Sequence, residues 1–333
     1  MRSGALSKGD GFTTSANFRA RAPWWGGDLQ TLRNKIVCSA VELPGISKRL
    51  ILPLEDSSGD QLAAMLDVPD NPIDSPLVIL IHGMGGSEDS DYIRCSAAYY
   101  LKRGHHVIRL NLRGAGPSRL CSGGHYHSGC AADIRDALNG LDCGLVSHGL
   151  FLVGFSLGGN ILINFLSRFA DDLPIRGAVT VSAAIDPAQA SKRIMAPRNL
   201  LYHSWLLKQM KEECLAPGAR LTDRERAALT TARTIYEFDN SFTAPRAGYS
   251  DANAYYVGTA GWRVVSKIRI PTLLIHARND PWIPSEPYDR LKRTAAPNIH
   301  IVQTDDGGHV GFHAKEHDET WHDKRAGLFF SSR

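Results

Sequence analysis

Leu150-Phe151-Leu152-Val153-Gly154-Phe155-Ser156-Leu157-Gly158-Gly159-Asn160 is the stretch that decides the fold. Its first four residues are a continuous apolar run, as expected of a strand covered on both faces. Beyond it, Ile161, Leu162, Phe165 and Leu166 recur at spacings of three and four, which predicts a helix. Ser156 therefore stands at a strand-to-helix turn inside Gly-x-Ser-x-Gly, the pattern of a nucleophile elbow. A Cβ at Gly154 or Gly158 would collide as strand and helix close together. The helix begins directly after the serine. Its unpaired N–H groups and positive dipole end then face the place where an oxyanion would form. A purely structural glycine-rich turn is the bland alternative, and the buried strand before it together with the helix after it argue against that.

Working outward, apolar strands at 77–81, 107–110, 178–181, 271–276 and 299–302 alternate with helical patterns at 91–103, 131–141, 285–293 and about 318–330. Ile134, Ala137, Leu138 and Leu141 give the second of these helices one apolar face. Such alternation predicts an α/β fold: a mostly parallel central sheet wrapped by helices. Candidate strands at 35–41, 49–52 and 62–68 look like an antiparallel entry to the same sheet, with Ser57-Ser58-Gly59-Asp60 as a turn. Residues 1–20 are polar and read as a flexible lead-in. Residues 21–185 and 271–333 form the expected core. Between them, 186–270 carry helical patterns without a strong strand, including Leu200, Leu201, Trp205, Leu206, Leu207 and Met210. An apolar insertion here is expected to be a helical cap over the C-terminal strand ends, where ligands bind in open α/β sheets. Most of its apolar residues would build the cap's own core.

Composition excludes several classes. The chain has 333 residues, 43% hydrophobic and 22% charged, which is globular rather than disordered. Lys plus Arg number 38 against 34 Asp plus Glu, too small an excess to argue for nucleic-acid binding. Arg19, Arg21 and Arg33 near Trp24 and Trp25 read as a solvated face, with a weak membrane-surface contact as the alternative. The two tryptophans themselves would either seal the core edge or line part of a cleft. Cys38, Cys95, Cys121, Cys130, Cys143 and Cys214 include no C-x-x-C pair, so no zinc site is expected. The first 25 residues lack a secretory h-region and no run of 18 apolar residues occurs, so the expectation is a soluble, cytoplasmic protein with reduced thiols.

A serine hydroxyl is a poor nucleophile until a base takes its proton and a third group orients the base. Asp280 follows one predicted strand and His309 the next. The chain order Ser156, Asp280, His309, each on a strand-end loop, assigns nucleophile, orienting acid and general base. Asp186 is the rival acid; Asp305 and Asp306 lie too close in sequence to reach the His309 ring. His313, His317 and His322, in or beside the last helix, read as surface residues. Two backbone donors should hold the oxyanion: Leu157 N–H, and Met84 N–H from the loop His82-Gly83-Met84-Gly85-Gly86-Ser87. Each would contribute about 3–4 kcal/mol to the transition state. His82 is expected to pack beneath that loop. Tyr126-His127-Ser128-Gly129 would either place a polar group near the cleft or, the preferred reading, fix the start of helix 131–141 with Ser128 as a cap candidate.

With these residues in place the chain resembles a branch of the α/β-hydrolases, the group of bacterial YheT-like esterases and eukaryotic ABHD-type lipid hydrolases. The resemblance rests on Pro23-Trp24-Trp25-Gly26-Gly27-Asp28-Leu29-Gln30-Thr31, His82 to Ser87, Asn111-Leu112-Arg113-Gly114, Tyr126 to Gly129, and Gly154 to Asn160. Glu237-Phe238-Asp239, Thr243-Ala244-Pro245, Asn279-Asp280-Pro281 and Gly307-Gly308-His309-Val310-Gly311-Phe312 complete it. It spans roughly residues 20–330. It implies an α/β-hydrolase fold, carboxylic-ester hydrolysis, the triad at the positions above and no cofactor. Asp28 stands where the pattern has His, and Asn279 where it has a second Asp. The expected partner is a small-molecule ester or a lipid-like substrate. The same triad would also serve an acyltransferase; a non-catalytic binding protein on this scaffold is the reading from a different class.

Overall fold

The computed structural model describes residues 18–37, 41–315 and 318–333. Most of the expected lead-in, and Cys38 and His317, lie outside the described residues. One eight-stranded sheet has the order β1-β2-β4-β3-β5-β6-β7-β8. Its strands are β1 Ile46–Pro53, β2 Gln61–Val68, β3 Leu77–Ile81, β4 Val107–Leu110, β5 Leu150–Phe155, β6 Ile175–Val181, β7 Thr272–Ala277 and β8 Ile299–Thr304. β1 pairs antiparallel with β2, and β2 antiparallel with β4; the other pairs are parallel. This is the α/β sheet that the alternation of patterns predicts.

Each interior strand divides its side chains between two cores. On β3, Leu77, Ile79 and Ile81 join the cluster on one face, while Val78 and Leu80 join that on the other. Helices cover both faces, so the strands read as unbroken apolar runs rather than alternating ones. The helices are α1 Gly27–Ile36, α2 Asp91–Leu101, α3 Ala131–Asn139, α4 Leu157–Phe169, α5 Pro187–Ile194, α6 Leu200–Leu215, α7 Asp223–Thr231, α8 Ile235–Phe238, α9 Ala244–Arg246, α10 Ala252–Thr259, α11 Glu286–Lys292 and α12 Trp321–Phe330. α5 to α10 all fall between β6 and β7.

The sheet order sets where a ligand can enter. β3 lies between β4 and β5, so successive connections leave it in opposite directions. Ligands bind at such a switch point, in the crevice beyond the C-terminal strand ends. The loop after β3 carries Gly83 and Met84, and the turn after β5 carries Ser156.

Three expectations are corrected. Residues 35–37 are not strand: α1 runs through Ile36, and Val37 caps it. Asp28 in its first turn and Arg33 and Lys35 in its last favour the helix electrostatically. Gln30 is fully buried and anchors it, its Nε2 donating to Trp24 O at 2.7 Å and its Oε1 accepting from His313 N at 2.8 Å. The tryptophans neither seal the core nor line the cleft, since Trp25 is 63% exposed and Trp24 lies beneath the Arg33 guanidinium. His313 and His322 are buried: Gln30 of α1 accepts from His313 N and donates to His313 O, while α12 lays His322 in its first turn against Phe155 and Phe312.

Candidate active site

Ser156 has φ +51°, a left-handed conformation that a non-glycine residue adopts only when its surroundings impose it. The imposing contacts are glycines. A Cβ on Gly158 would lie 2.2 Å from His82 O, and one on Gly154 would lie 2.7 Å from Gly158 O. The elbow therefore closes only with glycine at both places. The turn lifts Ser156 out of the β5 ladder and starts α4 at Leu157.

His309 Nε2 lies 2.9 Å from Ser156 Oγ, and His309 Nδ1 lies 2.9 Å from Asp280 Oδ2. Asp280 is fully buried. Burial opposes its ionisation, but the nearby His309, its hydrogen bond, His276 and the Ile283 N–H outweigh that and hold the carboxyl below its ordinary value. Oδ1 also accepts from Trp282 N at 2.8 Å and Ile283 N at 2.9 Å. An ionised Asp280 only accepts, so the imidazole proton belongs on Nδ1 and Nε2 is left to accept from the serine hydroxyl. Asp186 instead caps α5 through Gln189 N and meets Arg290, which removes it as a rival.

The loop after β3 has an accountable set of donors. Gly83 N donates to Tyr92 Oη at 2.9 Å, Gly85 N to Tyr126 Oη at 2.8 Å, and Gly86 N to Gly83 O at 3.2 Å. Among the described residues Met84 N has no acceptor, and neither has Leu157 N. The loop presses on the serine: a Cβ on Gly83 would lie 2.9 Å from Ser156 Cβ. His82 holds it from below, with Nδ1 2.7 Å from Gly83 O and Nε2 accepting from Leu112 N at 3.0 Å. Burial pushes the His82 pKa down to about 4, so the ring is neutral and structural.

The amino-terminal helix braces the histidine loop. Thr31 Oγ1 accepts from His309 N at 2.8 Å. α1 meets both the loop after β7 and the histidine loop through glycines: a Cβ on Gly27 would lie 2.0 Å from Asn279 O, and one on Gly308 would lie 2.3 Å from Gly27 O. Asn279 ties the two acid-bearing loops, donating to Asp306 Oδ1 at 2.5 Å and accepting from Gly308 N at 3.0 Å. Asp28 pairs with Arg198 at 2.8 Å, while Tyr202 Oη donates to it at 3.1 Å.

Ser156 and His309 open into a cavity of about 730 Å³. Ile194, Leu206, Met210, Ile235, Phe238 and Tyr255, all from the segment between β6 and β7, line much of it. Several participants carried no legible signal. Trp282 lies over the His309 ring, centroids 4.4 Å apart. Glu213 of α6 accepts from Tyr126 Oη at 2.8 Å, and burial pushes its carboxyl up to about 7. The Tyr126 motif thus places a polar group in the cavity wall, the first of its two sequence readings. Ser128 does not cap α3: Cys130 holds that position, and Ser128 Oγ accepts from Asn160 Nδ2.

A family model described as the alpha/beta hydrolase fold matches residues 76–316. The putative esterase YheT of Escherichia coli (strain K12) is 30% identical over 309 residues, covering 90% of this chain and 88% of its own. The monoacylglycerol lipase of Saccharomyces cerevisiae is 28% identical, over 74% of this chain but 57% of its own length. Among solved structures, the esterase Pf2001 of Pyrococcus furiosus superposes with a TM-score of 0.59 at 19% identity, covering 96% of this chain and 98% of that one. No described helix is long and apolar enough to cross a membrane.

Proposed function

The chain belongs to the alpha/beta hydrolase family, and on that premise we propose that it hydrolyses carboxylic esters through an acyl-enzyme formed on Ser156. The observation that carries this reading is the continuous relay Ser156 Oγ, His309 Nε2, His309 Nδ1, Asp280 Oδ2, with 2.9 Å at each hydrogen bond. Ser156 Oγ attacks the ester carbonyl carbon while His309 Nε2 takes its proton. The charge that develops on the carbonyl oxygen is met by Met84 N–H and Leu157 N–H, neither of which has another acceptor among the described residues. Asp280 stabilises the imidazolium and keeps its orientation. Collapse breaks the bond to the leaving alkoxide, which receives the proton from His309. Water, activated by the same imidazole, then releases the acid.

Residues 186–270 act as the cap in this reading, and their apolar lining favours a short- to medium-chain acyl group or a lipid-like ester. A fluorophosphonate probe followed by peptide mapping tests it. Labelling should fall on Ser156, vanish in Ser156→Ala and drop sharply in His309→Ala. A folded protein that hydrolyses esters equally well with Ser156→Ala would sink the assignment.

A further inference from the structure

Trp282 touches both members of the acid–base pair. Its backbone N–H donates to Asp280 Oδ1 at 2.8 Å. Its ring lies against the His309 ring, centroids 4.4 Å apart and planes 34° from parallel. The preceding residue is pinned as well, since Pro281 O accepts from Nδ2 of the fully buried Asn199 at 2.7 Å. Hydrogen bonding does not account for the indole. Nε1 is buried and has no acceptor among the described residues, which is a cost rather than a gain. What the side chain supplies is a ring face, and His309 lies against it.

The two hydrogen bonds of His309 are both made at the edge of its ring, at Nε2 and Nδ1. Neither strongly resists a tilt about the line joining the two nitrogens. A ring packed on the face does. The indole is itself held from two directions. It packs against the apolar core of the sheet and against the separate cluster formed by the helices between β6 and β7. From α6, Tyr202 meets it at 5.5 Å with planes 72° apart, and Trp205 at 6.4 Å. Trp205 carries the Lys35 ammonium of α1 over its own ring at 5.7 Å. When His309 takes the serine proton it becomes a cation, and an aromatic face within about 6 Å attracts a cation.

We propose that Trp282 is a positioning residue for the general base: its indole keeps the His309 imidazole in the orientation that serves Ser156 and stabilises the imidazolium that forms, while α6 fixes the indole in place. The proposal rests on the ester-hydrolase reading above and adds the residue that steadies its base. The other titratable or charged groups near this corner are Asp280 and His276, Asp306 of the histidine loop, Tyr202 of α6, and the Asp28–Arg198 pair. His276 is lowered to about 4, Asp280 lies below its ordinary value and Tyr202 above, so none of these three titrates over about pH 5–8.

Three variants, each checked for folding by its thermal melt, separate this role from packing. Trp282→Phe keeps a ring face; Trp282→Leu and Trp282→Met fill space without one. None of them removes the backbone bond to Asp280 or a side-chain hydrogen bond. The substrates are p-nitrophenyl acetate, butanoate and octanoate. The phenylalanine variant should lose no more than about threefold in kcat/KM, and the leucine and methionine variants about 30-fold. The larger loss should be the same for all three acyl lengths and fall mainly on kcat, because His309 serves both acylation and deacylation. In those two variants the acid limb of kcat/KM should move about 0.5–1 unit to lower pH, since an imidazolium without the face gives up its proton more readily. Should the leucine variant not fold, the methionine variant decides. Equal losses in the phenylalanine and leucine variants, or a loss that grows with acyl length, would make the indole a packing wall, and the proposal falls. It also falls if the acid limb stays in place or moves to higher pH, which would make the indole a barrier to water. Hydrolysis that is lost in Ser156→Ala yet indifferent to the tryptophan series leaves the ester-hydrolase reading standing. Esters cleaved equally well by Ser156→Ala sink both.

Discussion

Tyr126 Oη accepts the Gly85 N–H at 2.8 Å, which ties the loop bearing Met84 to a side chain on the far wall of the cavity. The same hydroxyl donates to Glu213 on α6, so one phenol joins the loop after β3 to the helical segment above it. Tyr126→Phe removes both bonds; the exposed Gly85 N–H can turn to water, whereas the part-buried Glu213 carboxyl loses this partner at a cost of about 1–3 kcal/mol. A loosened loop misplaces Met84 N–H while leaving the apolar contacts to the substrate in place. The expected result is a fall in kcat of about tenfold with KM nearly unchanged. Steady-state kinetics on a neutral ester read it; an unchanged kcat would show the loop to be held by its other contacts.

Gly83 is required by space. A methyl there would sit 2.9 Å from Ser156 Cβ and 3.2 Å from Phe155 O, and the second of these is backbone that cannot swing away. Gly83→Ala should separate the loop from the elbow and cost roughly 100-fold in kcat/KM. The melting temperature should move by only a few degrees, because the strain is relieved at a loop rather than in the core. Equal activity in the variant would mean that the loop does not contribute to the reacting geometry.

Asp280→Asn is nearly isosteric and can keep the Trp282 and Ile283 N–H bonds on its carbonyl oxygen. Its amide then points at His309 Nδ1 and donates, which moves the imidazole proton to Nε2. The base now presents a donor to Ser156 instead of an acceptor. The expected loss is on the order of 10⁴ in kcat with the fold retained. A loss below tenfold would require another group to orient His309.

The order of these chemical groups was legible because the sheet dictates it. Buried parallel strands leave continuous apolar runs, and the loop after each run stands at the crevice; the candidates Ser156, Asp280 and His309 are read off in that way. The elbow announced itself through Gly154 and Gly158, whose absent Cβ atoms a neighbouring backbone requires. What the sequence hid is carried by pairs distant in the chain. Glu213 looks like any polar residue of an amphipathic helix until Tyr126, 87 positions away, meets it. Thr31 looks like a helix residue until His309 N, 278 positions away, donates to it. Lys35-Ile36-Val37 reads as strand by local preference, and the burial of Gln30 makes it the end of a helix instead. The buried His322 was misread because a short helix with mixed polarity has two equally plausible faces, and only its packing chooses between them; His313 was misread because its partner Gln30 lies 283 positions away.

Histidines of this kind set the acid limit of the fold. Burial depresses His82, His125, His127 and His276 to about 4 and His313 to about 3. Each folded-state value lies below the unfolded 6.5, so each group resists protonation only when folded, and stability is lost as pH falls from 6.5 towards 4. Glu213 and Asp239, raised to about 7 and about 6, work in the opposite direction, but two carboxyls do not offset five imidazoles. His276 isolates the effect. Both its ring nitrogens are buried without a partner among the described residues, and it stacks on Tyr288 with centroids 4.1 Å apart and planes 1° from parallel. His276→Phe keeps the stack, breaks no hydrogen bond and cannot be protonated. Relative to the parent protein its unfolding free energy, from urea titrations at fixed pH, should be flat above pH 7 and gain about 1.4 kcal/mol for each pH unit below 6.5. A difference that stays constant across that range would mean that His276 accepts its proton without cost inside the fold, and the acid limit would then have to come from the other four rings.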